Sequence, residues 1–283
     1  MLVDGAVVRR LMLVSSIALL ALPLAALAGD GRIEINQACV AAGCFAGDTP
    51  GFPVTLASPG AYVLTSNLTV PASDGVVATV AGVDLDLNGF QITGPGSCVA
   101  TLGGDGKLTG VSCAGTTGTG VTGVTSIRDG TVRGFATGID SPQGTVFRVE
   151  RVTVRETSSD AIDASGVRLI LTDSVISTNA GDGVSGQNSL SSFTVARCIF
   201  ERNDQGLYLA NGVASESVFV ENTEALRSNV GGSGLVVNSS FFRNVTALGG
   251  GDARYRSNVF EDTTNALGGT NLGANVCNGA ACP

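Results

Sequence analysis

The chain has 283 residues, 43% hydrophobic and only 14% charged, with 40 glycines, no tryptophan and no histidine, and a formal net charge of −8. That much apolar, β-branched content excludes a disordered chain, and the glycine count favours a turn-rich β protein over a helical one. A net negative surface with a single lysine, Lys107, repels phosphate backbones and excludes nucleic acid as a natural partner.

Residues 1–28 differ from the rest. Arg9 and Arg10 precede an apolar run from Leu11 to Leu27 that ends in Ala26-Leu27-Ala28. This is the pattern of a cleavable secretory signal, with a retained membrane anchor as its alternative reading. No second run of spanning length follows, so no membrane span is expected in the mature chain. Export predicts an oxidising compartment, and the cysteines agree. Cys39 and Cys44 fall near the mature start, Cys98 and Cys113 bracket a glycine-rich stretch, and Cys277 and Cys282 close the chain, so three local disulfides are expected. Cys198 is left over and reads as a buried thiol packing as a small hydrophobe. With no histidine to activate it, a nucleophilic role is excluded.

Residues 29–53 are irregular and read as an N-terminal cap. From residue 54 to about 270 short apolar stretches alternate with turns, as in Val83, Leu85 and Leu87 followed by the corner Asn88-Gly89. Between Cys98 and Thr122 the pattern breaks into TLGGDGKLTGVSCAGTTGTG, which predicts a loop (98–122) projecting from one coil and tied at its neck. A repeat then dominates. Val132, Val154, Ile176, Phe200, Val220, Phe242 and Phe260 read as one recurring position, at intervals of 22, 22, 24, 20, 22 and 18. Small apolar pairs such as Gly138-Ile139 and Gly183-Val184 follow each anchor. Self-similarity at this period marks a solenoid, whose coils cannot bury their apolar faces alone. Three short parallel strands and three bends account for about 22 residues. Asn179, Asn203, Asn222 and Asn244 are placed to stack as a ladder of amides. Residues 271–283 read as a C-terminal cap. The expected fold is therefore all-β, a right-handed parallel β-helix capped at both ends.

With its signal, caps, coils of about 22 residues, Asn-bearing bends and the GDGV stretch at 181–184, the chain resembles the right-handed parallel β-helix proteins of the pectin-lyase-like superfamily. The resemblance implies the fold, and a choice of functions that includes polysaccharide lyases, hydrolases and secreted proteins without activity. The histidine-dependent patterns of that superfamily fail here, because the chain has none. Its calcium-and-arginine lyase pattern leaves Asp160, Asp163 and Asp182 as metal candidates, with calcium as the implied cofactor. Asp160, Asp182 and Asp204 recur 22 residues apart, which permits a carboxylate pair of glycosidase spacing, and Arg155 is the candidate base. The structural alternative is that each aspartate caps its own turn. Arginines 133, 155, 202 and 243 alternate with Glu156, Glu201, Glu221 and Glu261, the pattern of a salt-laced surface. The expected function is a secreted, non-catalytic scaffold for an extracellular polysaccharide or cell-surface component. Its rival is a calcium-assisted lyase or hydrolase acting on uronic-acid glycans.

Overall fold

The structure, a computed structural model, describes residues 31–141, 146–186, 191–250, 252–263 and 265–282. The expected signal segment 1–28 lies outside them. The chain winds into a parallel β-solenoid of about nine turns of roughly 22 residues. Each coil contributes one rung to each of three parallel ladders. The first ladder runs from Ile33–Ile35 through Gly60–Leu64, Val83–Asp86, Arg168–Thr172 and Ser192–Ala196 to Thr270–Asn271. The second runs from Leu68–Thr69 and Gln91–Thr93 to Val276–Cys277. The third starts at Val54–Leu56 and includes Val76–Ala78, Thr119–Thr122, Thr137–Asp140 and Thr246–Gly249. Parallel pairing thus extends beyond 54–270 at both ends. At the N-terminal end the helix Gln37–Val40, capped by the Asn36 side chain, follows the first rung. At the other end a short antiparallel pairing, Val276–Cys277 with Ala280–Ala281, turns the chain back. Disulfides link Cys39–Cys44, Cys98–Cys113 and Cys277–Cys282.

The interior consists of columns. In the second ladder Val132, Val154, Ile176 and Phe200 are register partners, all fully buried. The column continues through Phe219, Phe241 and Phe260. The expected anchors Val220 and Phe242 are therefore displaced by one residue. They are only half-buried, on the outer face, because a one-residue slip in a strand sends every side chain to the opposite side. Phe200, Phe219, Phe241 and Phe260 stack face to face with centroids 4.7–4.8 Å apart, which is the spacing of the strands that carry them. A second column, Val76, Val121, Ile139, Ile162, Val184, Leu207, Leu226 and Leu248, lines the third ladder. Beside it the small residue Gly183 lets neighbouring coils close, since a Cβ there would collide with the Gly206 carbonyl oxygen.

Two of the three corners are built alike. At each, a residue in the left-handed region is followed by a side chain that serves the coil before it. Between the second and third ladders the left-handed residues are Glu156, Thr178, Arg202, Glu221, Arg243 and Asp262. The residues that follow Thr178, Arg202, Glu221 and Arg243 form the amide ladder, and Thr157 and Thr263 take the corresponding place in the outer coils. Asn179 Oδ1 accepts the Thr157 N–H at 3.0 Å, Asn222 Oδ1 the Asn203 N–H at 3.0 Å, and Asn244 Oδ1 the Asn222 N–H at 2.9 Å. The amide nitrogens of Asn203, Asn222 and Asn244 donate back to the preceding coil, as Asn222 Nδ2 does to the Phe200 carbonyl at 2.9 Å, while Asn179 Nδ2 donates forward to Asn203 Oδ1 at 2.7 Å. Between the first and second ladders the left-handed residues are Asp129, Arg151, Asp173, Arg197, Glu216, Asn238 and Ser257. Here a second ladder, unforeseen from the sequence, runs through Ser174, Cys198, Ser217, Ser239, Asn258 and Asn275. Val152 N–H donates to Ser174 Oγ, Ser217 N–H to Ser239 Oγ and Ser239 N–H to Asn258 Oδ1. All these corner groups are buried, and each leaves no backbone donor orphaned.

The segment 98–122 departs from expectation. Thr119–Thr122 is an ordinary rung of the third ladder. The insertion proper is an antiparallel hairpin, Ser97–Leu102 with Leu108–Ala114, and it packs against the strands Val175–Ser185 and Ile199–Ser215 instead of projecting.

The phase of the phenylalanine column yields a direct test. Truncating Phe219 to Ala removes a fully buried ring and should cost about 3–5 kcal/mol, whereas Val220→Ala should cost less than about 1 kcal/mol. Urea unfolding of the two variants would reverse that order if the sequence-based phase were the true one.

Candidate functional site

The outward surface of the third ladder carries the unbalanced charge of the molecule. Its strands turn two consecutive small or aliphatic residues inward, and the positions on either side face out. Thr137, Asp160, Asp182, Gln205, Glu224 and Thr246 form one outer column. Asp140, Asp163, Ser185, Tyr208 and Arg227 form the other, and of these two columns Asp182 and Ser185 are themselves buried. The sequence-derived candidates Asp160, Asp163 and Asp182 all belong to this face.

Asp160 Oδ1 accepts the backbone N–H of Asp182, one coil on, at 3.1 Å. Asp74 does the same for Thr119 at 2.7 Å. Asp163 Oδ1 holds the N–H of Ser165 within its own turn at 3.0 Å. Two of the three expected metal ligands are thus engaged with backbone. Among the described residues no group of three or more His, Cys, Asp or Glu that could hold a metal ion is found, the candidate set Asp160, Asp163 and Asp182 included. Asp204 also leaves the 22-residue series: the register shifts after Asn179, and the partner of Asp182 is Gln205. Asp204 is near enough to repel Asp182 without standing in its column. Arg155, the expected base, is committed to the corner, where its Nη1 donates to Glu156 Oε1 at 3.0 Å beside Arg133 at 2.7 Å. The reason is conformational: Glu156 occupies the left-handed corner position, and the arginines of neighbouring strand ends close around it.

The electrostatics of the face are one-sided. Burial raises the Asp182 carboxyl to about 7, and Asp160 and Asp204 add to the shift while Arg227 opposes it. Burial, helped by Asp163, also raises Asp160, although the Asp182 N–H works against the shift. Asp140 is raised by burial and then by Asp163 and Asp74, and Glu224 by burial and Asp204 against the pull of Arg227. Gln205, between Asp182 and Glu224, keeps a buried Oε1 without a hydrogen-bond partner. The sequence reading missed Asp140, Glu224, Tyr208 and Arg227, and their spacing from the aliphatic column is the signal that would have found them.

Cys198 belongs to a different environment. Its sulfur receives the Ser174 N–H and lies 3.3 Å from the Ala196 carbonyl, the bond that Ser217 and Ser239 make to Ser215 and Val237. It is buried within the apolar core, as the small-hydrophobe reading expects, and is at the same time a rung of the serine ladder. Burial pushes the thiol up to about 11, which disfavours the thiolate needed for nucleophilic attack.

The architecture is that of a right-handed β-helix protein. The family model described as a right handed beta helix region matches residues 109–272, and the chain belongs to that family. No curated protein and no solved structure matches the chain.

Two outcomes follow from these environments. The folded-state value of Asp182 lies above the roughly 4 of an unfolded aspartate. Its contribution to stability is therefore complete below about pH 4 and is lost as pH rises through about 7. Asp182→Asn should leave the melting temperature nearly unchanged at pH 4 and raise it by about 2–6 °C at pH 8, as thermal melts at the two pH values would show. Cys198→Ser preserves the ladder acceptor and should cost under about 1 kcal/mol, whereas Cys198→Val strands the Ser174 N–H and should cost about 1–3 kcal/mol. Equal costs in denaturant titration would remove the ladder role.

Proposed function

We propose that this protein is a non-catalytic extracellular scaffold that presents the outer face of the third ladder to an extended glycan. The observation that carries the reading is the double column from Asp140 to Glu224, one rung per coil and acidic in every coil but that of Gln205 and Tyr208. Successive rungs place hydrogen-bonding side chains about 4.8 Å apart along the axis, a spacing suited to a long polymer and not to a single small molecule. Tyr208 adds an aromatic surface and Arg227 a donor. The charge speaks to the kind of glycan. A face holding Asp140, Asp160, Asp163, Asp182 and Glu224 repels polyuronates, so neutral or amino-bearing sugar polymers are the better fit. Secretion is part of the proposal. It rests on the signal-like residues 1–28 and on three disulfides of a kind that persist in oxidising compartments. Among the described residues no helix is long and apolar enough to cross a membrane.

One observation favours a second reading. Asp160 and Asp182 stand one rung apart, about 5 Å, near the separation of a retaining glycosidase pair, and the two carboxyls are raised to different extents. Against it stands the Asp160 oxygen already bonded to backbone. A panel of neutral, amino-bearing and uronic-acid polymers separates the two. The expected result is retention of a neutral or amino polymer without product release, unaffected by EDTA and weakened about tenfold or more when Asp140→Asn, Asp163→Asn and Glu224→Gln are combined. Release of shortened chains that Asp182→Asn abolishes would replace the scaffold with the hydrolase, and failure to retain any polymer would remove the glycan reading.

A further inference from the structure

The hairpin at 97–114 departs from the local logic of the rest of the molecule. In a solenoid each coil touches only the coils beside it. This insertion leaves the second ladder after Gln91–Thr93 and runs along the axis. Gly96 N–H donates to the Gly134 carbonyl at 3.0 Å. One coil further, the Cys98 and Cys113 sulfurs lie 3.6 and 3.3 Å from the Thr157 carbonyl oxygen. The arms then pass over the strands Val175–Ser185 and Ile199–Ser215. At the tip, a Cβ on Gly106 would sit 3.6 Å from Arg243 Cδ, and Lys107 Nζ lies 3.6 Å from Asp262 Oδ1. Gly134, Glu156, Thr178, Arg202, Glu221, Arg243 and Asp262 are the successive left-handed residues of one corner. The hairpin therefore spans six coil steps, or about 29 Å at the strand spacing, which ten extended residues from Gly96 to Gly106 can cover at about 3.3 Å each.

Two features show that it is seated on this corner. Leu108 is 3% exposed although it is no part of the coil interior. The Lys107 side chain, the sole lysine of the protein, is only 12% exposed. The opposite surface of the same hairpin is open, with Val99 68% exposed. A free loop would bury neither residue. The Cys98–Cys113 bridge joins register partners of the two arms, so the pair leaves the neck as one unit aimed along the axis.

We infer that this hairpin is an axial clasp: it ties the coil of Gly134 to the coil of Asp262, so that the intervening coils open together and not one at a time from the C-terminal end. Without it the stack would behave as a one-dimensional chain of neighbours, in which the terminal coils detach at little cost to those behind them. With it, detaching the Phe241 and Phe260 coils requires lifting the tip from Arg243 and Asp262 as well.

Hydrogen exchange resolved by peptide tests the clasp on the full chain. Two variants are compared with the parent: one with residues 99–112 replaced by Gly-Ser-Gly, which keeps both cysteines, and the point variant Lys107→Ala with Leu108→Ser, which alters no residue of the coil interior. Both should lose about tenfold or more protection in 240–262 while 60–93, which lies before the clasp, keeps the parental rates. Unchanged exchange in 240–262, or an equal loss across 60–93 and 240–262, would overturn the clasp. The point variant decides the matter if the shortened chain does not fold.

Discussion

The constraint on which this molecule depends is the bend, not the strand. A parallel rung satisfies its own backbone through the coils above and below, but at a corner the chain turns away and its N–H groups lose that partner. Here the two tight corners solve the problem in the same way. A left-handed residue makes the bend, and the following side chain of the next coil accepts the orphaned N–H, as Asn222 does for Asn203 and Ser239 for Ser217. Because the acceptor always comes from the neighbouring coil, no corner is complete in isolation. The stacked phenylalanines and aliphatic columns add apolar burial to a register that the corners already fix.

That dependence explains which parts of the fold were legible in the sequence. The 22-residue interval, the aliphatic columns through Val132, Val154 and Ile176, and the asparagine ladder can be read directly. The phase at Val220 and Phe242 could not be read from hydrophobicity, because VFV and SFF place apolar residues on both faces of the strand. The corner supplies the missing information. The inward residue stands three positions before the ladder asparagine, as Ile176 does before Asn179, Phe200 before Asn203, Phe219 before Asn222 and Phe241 before Asn244. Two positions before the same inward residue stands the second ladder, with Ser174, Cys198, Ser217, Ser239 and Asn258. The hairpin was legible only as an interruption. Its direction is set by where Leu108 and Lys107 find a surface, and no local pattern records that.

The charged side chains divide by the same logic. At the corners, opposite signs stack from coil to coil: Arg151 bonds Asp129 at 2.6 Å, Arg197 bonds Asp173 at 2.7 Å, and Glu221 takes both Arg202 and Arg243. These pairs compensate a strained conformation that arginine and glutamate rarely adopt. Exposed pairs of this kind are individually weak, so their value lies in repetition. On the outer face of the third ladder the Arg227–Glu224 pair, 3.6 Å apart within one coil, offsets only part of the acidic charge. Asp140 stands over Asp163, Asp160 next to Asp182, and Glu224 one rung beyond Gln205. Burial first, and the neighbouring carboxylates after it, raise Asp140, Asp160 and Asp182, so holding these groups charged on this face opposes folding.

The two kinds of column bear on each other. A repulsive face can persist only if something else fixes the distance between its rungs, and the Asp182 coil is fixed by Asn179 at one corner and by Cys198 and Ser174 at another. The acidic residues are therefore held near each other chiefly by corner bonds, to which Asp160 adds one of its own by accepting the Asp182 N–H. On the proposed reading, a ligand bringing hydrogen-bond donors or positive charge to this face would relieve repulsion without moving a coil, and would meet a surface already in its binding geometry. A ligand carrying carboxylates would meet the same surface and gain nothing from it, since the coils cannot spread to dilute the charge. Under the proposed function, rigidity at the corners is what would turn an electrostatic burden into selectivity for the sign of the partner.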